Sequence, residues 1–591
     1  MAPGHRRGSV PPVASLLLVA TVLGSLCLSL TASPEAQKRY NFRFVRHARD
    51  APLVSYYNYI VVGGGTAGCP LAATLSERSR VLLLERGGLP YGNRNVSSEY
   101  HFADALADTS PRSPAQRFVS EDGVVNARAR VLGGGSCLNA GFYSRASSGY
   151  VRAAGWDPRL VNASYRWVER ELVFRPDVPR WQCALREGLL QAGVTPDNGY
   201  TLEHVQGTKI GGTIFDRAGR RHTAADFLRR AHPRRLTVFL RATGAATPVA
   251  YGVVFTDPAG VRHHVYLRGG AKSEVIVAAG TLGSPQLLML SGVGPRGELE
   301  KHGILPVLDQ PMVGKGVADN PMNSVFVPSP VPVALSLVQI VGVSRFGTFI
   351  EGVSGSQFGI PLHGRGAARR ATRSFGMFSP MTGQLGTVPP KERTPEAMRR
   401  AAEAMRRLDR RAFRGGFILE KILGPMSTGH VALRSADPDA NPAVTFNYFR
   451  DPRDVERCVR GIETIERVVR SRAFARFTYA NVTAMEAAVL GRRAGHLPVN
   501  LLPRRATDTR PLQQYCRETV MTIWHYHGGC HVGAVVDQDY RVLGVRGLRV
   551  VDSSTFKYSP GTNPQATVMM LGRYMGLKIQ KERWTRNDET H

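Results

Sequence analysis

Histidine is the side chain best suited to moving protons near neutral pH. This chain carries two in Trp524-His525-Tyr526-His527-Gly528-Gly529-Cys530. Residues two apart in an extended segment point to opposite sides, so one of the pair is expected to face a given pocket. Further on lies Gly561-Thr562-Asn563-Pro564-Gln565. Asn followed by Pro reads as an N-cap and first helical residue, and the positive end of the helix can stabilise developing negative charge. Asn563 cannot act as a base, but its amide can orient a hydroxyl and a developing alkoxide.

A third group is Tyr59-Ile-Val-Val-Gly63-Gly64-Gly65-Thr66-Ala67-Gly68, closed by Glu85. Strand, Gly-x-Gly-x-x-Gly, helix, a second strand from Arg80 to Leu84 and an acid follow in the order a dinucleotide needs. Gly63 permits the tight turn, Gly65 lets the backbone approach the pyrophosphate, and Gly68 lets helix and strand pack closely. The helix N-terminus offers N–H groups and a positive dipole end to phosphates. Glu85 can accept hydrogen bonds from a ribose.

These residues must be positioned by elements spread along the chain. Val131-Leu-Gly-Gly-Gly-Ser-Cys-Leu-Asn-Ala-Gly141 is a second glycine-rich segment. Val151 to Gln191 reads as helical, with Trp156, Trp167 and Trp181 as core anchors. Ser273 to Gly280 is a buried-type strand leading into an apolar helix that stops at Gly292. Residues 324 to 390 suit an antiparallel sheet with long loops. Thr394-Pro395-Glu396 opens a helix whose apolar positions are Met398, Ala401, Met405, Leu408 and Ala412. Asp454 to Val469 is an amphipathic helix, Val545 to Asp552 a strand, and Pro564 to Lys581 a buried final helix. Residues 34 to 55 form a polar lead-in. Segments from both ends of the chain thus grip the cofactor, which predicts a domain discontinuous in sequence.

With 591 residues the chain exceeds one small core. Net charge is +31, mostly arginine. The clusters Arg369-Arg370, Arg399-Arg400, Arg406-Arg407 and Arg410-Arg411 are short and lack interleaved aromatics. They read as solvated charge, so no nucleic-acid partner is expected. At the start, Arg6-Arg7, an apolar run from Val13 to Leu30 and Thr31-Ala32-Ser33 read as a signal peptide cleaved near Ala32; uncleaved, the run is long enough for a membrane anchor. Sequons at Asn95, Asn162 and Asn481 agree with secretion and glycosylation. Cys69 and Cys137 sit in glycine-rich segments as small apolar side chains. In an oxidising compartment Cys458 and Cys516 can form a disulfide. No cysteine or histidine cluster has zinc spacing, so no metal is expected.

Four motifs in order, Gly63 to Gly68 with Glu85, Ala129 to Asn139, Gly280 to Gly294, and the histidine segment with Thr562-Asn-Pro-Gln565, resemble those of the glucose–methanol–choline (GMC) oxidoreductases from about Tyr57 to Lys581. Cys137-Leu-Asn-Ala-Gly-Phe-Tyr143 and His525-Tyr-His-Gly-Gly-Cys530 are similar to the plant branch holding mandelonitrile lyases and HOTHEAD-like proteins. The resemblance implies an α/β fold: a Rossmann-like FAD domain from residues 55–150, 201–320 and 516–585, cap helices in 151–200, and a substrate domain over 321–515 with an antiparallel sheet, after a signal peptide at 1–32.

By the same resemblance the cofactor is FAD. Glu85 holds the adenosine ribose; Val131, Gly135 and Asn139, Ala140, Gly141 and Phe142 line the dinucleotide. Trp524, Pro564 and Gln565 close over the isoalloxazine, and Thr66, Ala67, Arg86 and Asp552 complete the cofactor set. The catalytic histidine, separated by two residues from the Gly-Gly pair, is His525 with Asn563 as partner: the hydroxyl proton goes to His525 and hydride to flavin N5. The lyases carry His where this chain has Asn563, which favours an alcohol dehydrogenase or oxidase, with long-chain ω-hydroxy fatty acids as the implied substrate. The alternatives are a hydroxynitrile lyase and a catalytically impaired secreted flavoprotein. The last is kept open by the stretch Leu236 to Gly252, short by the family pattern near the adenine contact at Ala242 to Gly244. A monomer with an unassigned electron acceptor is expected.

Overall fold

The computed structural model describes residues 42–585 except 109, 246–250, 270–271, 356–387, 395, 398–399, 401–413, 491–503 and 505–507. The expected signal peptide, most of the helix opened by Thr394 and the arginine clusters lie outside the described residues, in whole or in part.

The apolar runs at Tyr59–Val62 and Val81–Glu85 are buried at every position. Continuous burial of this kind marks strands covered on both faces, as in parallel sheets. Both lie in a six-stranded sheet in the order Val45–His47, Leu236–Leu240, Val81–Glu85, Tyr59–Val62, Glu274–Val277 and Leu548–Val550. All its pairings are parallel. The lead-in to residue 55 is therefore not merely polar: Val45–His47 supplies the edge strand and Val54–Tyr57 joins a second, four-stranded sheet.

The fingerprint helix Gly68–Ser76 is buried throughout. It lies against the parallel sheet on one side and the final helix, Gln565–Thr585, on the other. Glycine makes both approaches possible. A methyl group on Gly68 would collide with the Gly63 carbonyl, and one on Gly572 with the Ala67 carbonyl. At Gly576 it would stand 2.7 Å from the Thr74 side chain. Asn563 and Pro564, at the head of the final helix, are thereby brought beside the first glycine turn.

A seven-stranded sheet forms the second layer, in the order Val520–Thr522, Pro321–Pro328, Gly415–Ile422, Thr348–Gly355, Ile340–Val343, Gly207–Ile210 and Asp197–Tyr200. Strands from residues 197–210 and 520–522 thus complete a sheet otherwise drawn from 321–422. Helices Arg180–Gln191 and Pro452–Arg470 cover one face. Trp181 lies on Gly352 and Gly416, where any side chain would meet its ring. Trp156 donates to the Tyr540 hydroxyl at 2.9 Å, and Trp167 stacks on Phe227 at 4.6 Å. The other sheet face looks onto the cavity described below. Cys458 and Cys516, 58 residues apart, form a disulfide. It ties the helix Pro452–Arg470 to the helix Leu512–Glu518, which leads into the strand delivering His525.

Among the sequons, Asn162 and Asn481 are exposed and Asn95 is half-buried. The Asn481 side-chain amide oxygen accepts from Ala484 N–H at 2.8 Å, and Ser164 of the Asn162 sequon is buried.

Gly68→Ala is expected to lower stability by about 1–3 kcal/mol through overpacking and to reduce flavin retained on purification. Denaturant unfolding together with the flavin-to-protein absorbance ratio checks both; an unchanged protein would show that the helix can yield.

Candidate active site

The carboxyl ends of parallel strands, where chain order reverses, are where doubly wound sheets bind ligands. A cavity of about 330 Å³ opens there, walled by Val62, Leu84, Ala278 and residues of the seven-stranded sheet. Of the residues picked out from sequence, Gly63, Gly65, Thr66, Ala67, Glu85, Arg86, Val131, Gly135 and Asn139 to Phe142 line it. So do Trp524, His525, Asp552, Asn563, Pro564 and Gln565. Gly68 stands behind the wall, as the packing contact just described. Ala242 and Thr243 of the short stretch also reach the cavity.

At the fingerprint, Gly63 has φ +110° and no room for a side chain against the Ala278 carbonyl. The space beside Gly65 is open, with its nearest atom 3.8 Å from a built Cβ. The Glu85 carboxylate accepts from Gly64 N–H at 3.0 Å and Gly87 N–H at 2.6 Å. Burial raises its pKa, opposed by these N–H groups and by Arg86. One lone pair remains on each oxygen for a diol. Arg86 is tied to Gln116 at 2.6 Å and the Ala129 carbonyl at 3.2 Å.

Some lining residues act mainly as braces. Gln565 donates to the Phe142 carbonyl at 2.6 Å and accepts from Asn139 at 2.7 Å. Asn139 in turn accepts from Gly141 N–H at 2.9 Å and Arg221 at 3.0 Å. These bonds join the second glycine segment to the final helix. Asp552 accepts from Gly280 N–H at 2.9 Å and the Ser284 hydroxyl at 2.5 Å, fixing the turn into the helix Gly280–Leu290.

The histidine segment resolves as alternation predicts. His525 lines the cavity and His527 does not; His527 turns its Nδ1 to the His525 carbonyl at 3.0 Å. Burial lowers the His527 pKa to about 4. Trp524 has φ +59°, a strained conformation for a bulky residue. Its backbone N–H is held by the Thr522 hydroxyl at 2.8 Å. The wholly buried Asp319 accepts from His525 N–H at 2.8 Å, and from the Thr522 and Tyr448 hydroxyls at 2.7 Å each. The His525 ring meets the Asn320 amide through Nδ1 at 3.2 Å and lies parallel to Phe349 at 6.3 Å. Burial first, then Lys421 and His527, hold its pKa well below the usual 6.5. The Asn563 carbonyl oxygen is buried and, among the described residues, has no hydrogen-bond partner. Its side chain therefore does not spend that oxygen capping the helix.

Asp319, Asn320, Glu351 and Lys421 are not singled out by sequence reasoning. The available signal is charge inside apolar strands, as in Phe417-Ile-Leu-Glu-Lys-Ile422. Among the described residues, no His, Cys, Asp or Glu group is arranged to hold a metal ion.

Comparison with known proteins agrees with this geometry. The two GMC oxidoreductase family patterns match residues 57–322 and 425–572. The chain is 51% identical to protein HOTHEAD of Arabidopsis thaliana, over 90% of this chain and 89% of that one. It is 47% identical to the (R)-mandelonitrile lyase-like protein of the same plant, over 96% and 99%. A solved formate oxidase shares the fold at TM-score 0.68 and 18% identity, covering 90% of this chain and 99% of that one. The chain belongs to the GMC oxidoreductase family, whose cofactor is FAD. The cavity fits that cofactor: an open glycine cradle at Gly65, the Glu85 carboxylate, and buried Trp524 Nε1 and Asn563 Oδ1 with no hydrogen-bond partner among the described residues.

Burial pushes the Asp319 pKa up to about 6 from an ordinary 3.8. Between those values the folded protein binds more protons than the unfolded chain, so this group's contribution to stability falls as pH rises. The stability of the wild type relative to Asp319→Asn is expected to fall by about 2 kcal/mol between pH 4 and pH 7. Urea unfolding of both proteins at the two pH values measures it; a constant difference would contradict a raised pKa.

Proposed function

We propose that this protein oxidises primary alcohols, with His525 and Asn563 acting on the hydroxyl group and long-chain ω-hydroxy fatty acids as the substrate class. The observation that carries this reading is the neutral imidazole of His525 lining the same cavity as Asn563, whose amide oxygen has no hydrogen-bond partner among the described residues. Glu85 would hold the ribose of FAD and the helix beginning with Gly68 its phosphates, and the flavin would supply the two-electron acceptor for the carbinol C–H. His525 takes the hydroxyl proton at Nε2. That requires the ring hydrogen on Nδ1, which Asn320 accepts when its amide carbonyl faces the ring. The Asn563 amide, turned to donate an N–H, holds the hydroxyl oxygen and steadies the charge that develops on it. Phe102, Leu106, Leu138, Met322 and Val353 on the wall suit a hydrocarbon chain.

A hydroxynitrile lyase is the second reading, supported by identity to the lyase-like relative. Asn563, in place of the histidine that the sequence resemblance associates with lyases, weighs against it. The disulfide supports passage through the secretory pathway, with the first 32 residues as signal peptide and the three sequons as glycan acceptors.

Anaerobic addition of an ω-hydroxy fatty acid is expected to bleach the flavin absorbance. His525→Ala should slow bleaching by about 10²–10⁴-fold. Because the His525 pKa is depressed, the imidazole stays unprotonated as pH falls, and kcat/KM should hold level through pH 6.5. Failure to bleach with any alcohol defeats the redox reading. Cyanide release from mandelonitrile, lost in His525→Ala, would establish the lyase, and a folded but colourless protein would indicate an impaired relative.

A further inference from the structure

Two charged side chains stand in the cavity wall near His525. Strand register sets Phe349 opposite Lys421 and Leu419 opposite Glu351, so Glu351 and Lys421 meet on the diagonal of one sheet face. Both line the cavity and are 0% and 1% exposed. Lys421 Nζ pairs with Glu351 Oε2 and lies over the Phe349 ring at 5.2 Å from its centre. That ring is in turn parallel to the His525 imidazole. The ion pair thus sits one aromatic ring away from the proposed proton acceptor.

Burying an ion pair commonly costs more than burying apolar side chains of the same size. Local bonds do not recover that cost here. Among the described residues, Glu351 Oε1 has no hydrogen-bond partner, and Lys421, with three N–H donors, donates to Glu351 alone. The chamber therefore holds one spare acceptor and spare donors side by side.

We propose that Glu351 and Lys421 form a subsite for a second, uncharged hydroxyl group of the substrate, a few bonds from the carbinol that is oxidised. This rests on the alcohol-oxidising reading above. A hydroxyl satisfies both partners: its oxygen accepts from Lys421 and its hydrogen goes to Glu351. A carboxylate meets Lys421 but is repelled by Glu351, an ammonium the reverse, and a methylene leaves both unfilled. The carboxylate of a long ω-hydroxy acid lies at the far end of its chain and is not the group read here; within that class the subsite selects acids with a further hydroxyl near the ω end. A site with buried polar groups discriminates strongly against ligands that leave them unpaired.

The test compares 1-hexanol with 1,5- and 1,6-hexanediol on the flavin-loaded protein. The better diol is expected to exceed 1-hexanol in kcat/KM by about tenfold or more. Glu351→Leu with Lys421→Met removes the pair together and strands no charge; there the ratio should fall to about one. A second arm uses alcohols that cannot be oxidised, 2,5-dimethylhexane-2,5-diol against 2-methylhexan-2-ol, with binding read from the shift in flavin absorbance. Wild-type protein that neither binds nor turns over diols better than mono-alcohols overturns the subsite, whether or not the double variant folds. So does a folded double variant that keeps the full preference. Tighter binding of the tertiary diol by a protein that oxidises no alcohol sustains the subsite and removes the alcohol-oxidising reading.

Discussion

The backbone contact between Gly63 and Gly68 is the constraint on which the cofactor half of the protein depends. Strand and helix touch there with no side chain between them, so the peptide N–H groups of the first helical turn stand at the ends of the parallel strands. The final helix rests on the same short helix through Gly572 and Gly576. A side chain at Gly68 would push the fingerprint helix off the sheet and carry the final helix with it. The placement of Asn563 is therefore set by small residues near the other end of the chain.

What could be read from sequence follows how local each feature is. The glycine turn, Glu85 and the Asn563-Pro564 helix start depend on residues a few positions away, and each lies on the cavity. The distinction between His525 and His527 needs only the alternation of an extended segment. Val45–His47 carries no pattern of its own: three half-exposed or exposed residues become a strand only because Leu236–Leu240 lies alongside. Asp319 and Asn320 acquire their roles from a segment some two hundred positions later. Glu351 and Lys421 are visible as charges in apolar runs, but their meeting depends on the register of strands far apart in sequence.

The electrostatics near His525 separate holding from tuning. Asp319 binds the backbone N–H of His525, while the ring meets an amide, Asn320. A carboxylate on the ring would raise its proton affinity; here the carboxylate steadies the peptide and leaves the imidazole subject to burial and to the Lys421 charge. The strained backbone of Trp524 lies between two of these anchors, the Thr522 hydroxyl and the Asp319 carboxylate. Strain of that kind persists only where the surroundings over-determine it.

The last strand and last helix complete a layer that begins near the amino terminus, and this orders events during synthesis. Domains generally fold as the chain emerges, the amino-terminal part first. Here Glu274–Val277 waits as an open sheet edge until Leu548–Val550 is made, and one face of the fingerprint helix stays uncovered until Gln565–Thr585 arrives. The nascent chain thus carries an unpaired edge through nearly half of its synthesis and bare apolar surface for longer, the exposure that chaperones attend to. A complete cofactor cradle thus requires these two late segments to be in place.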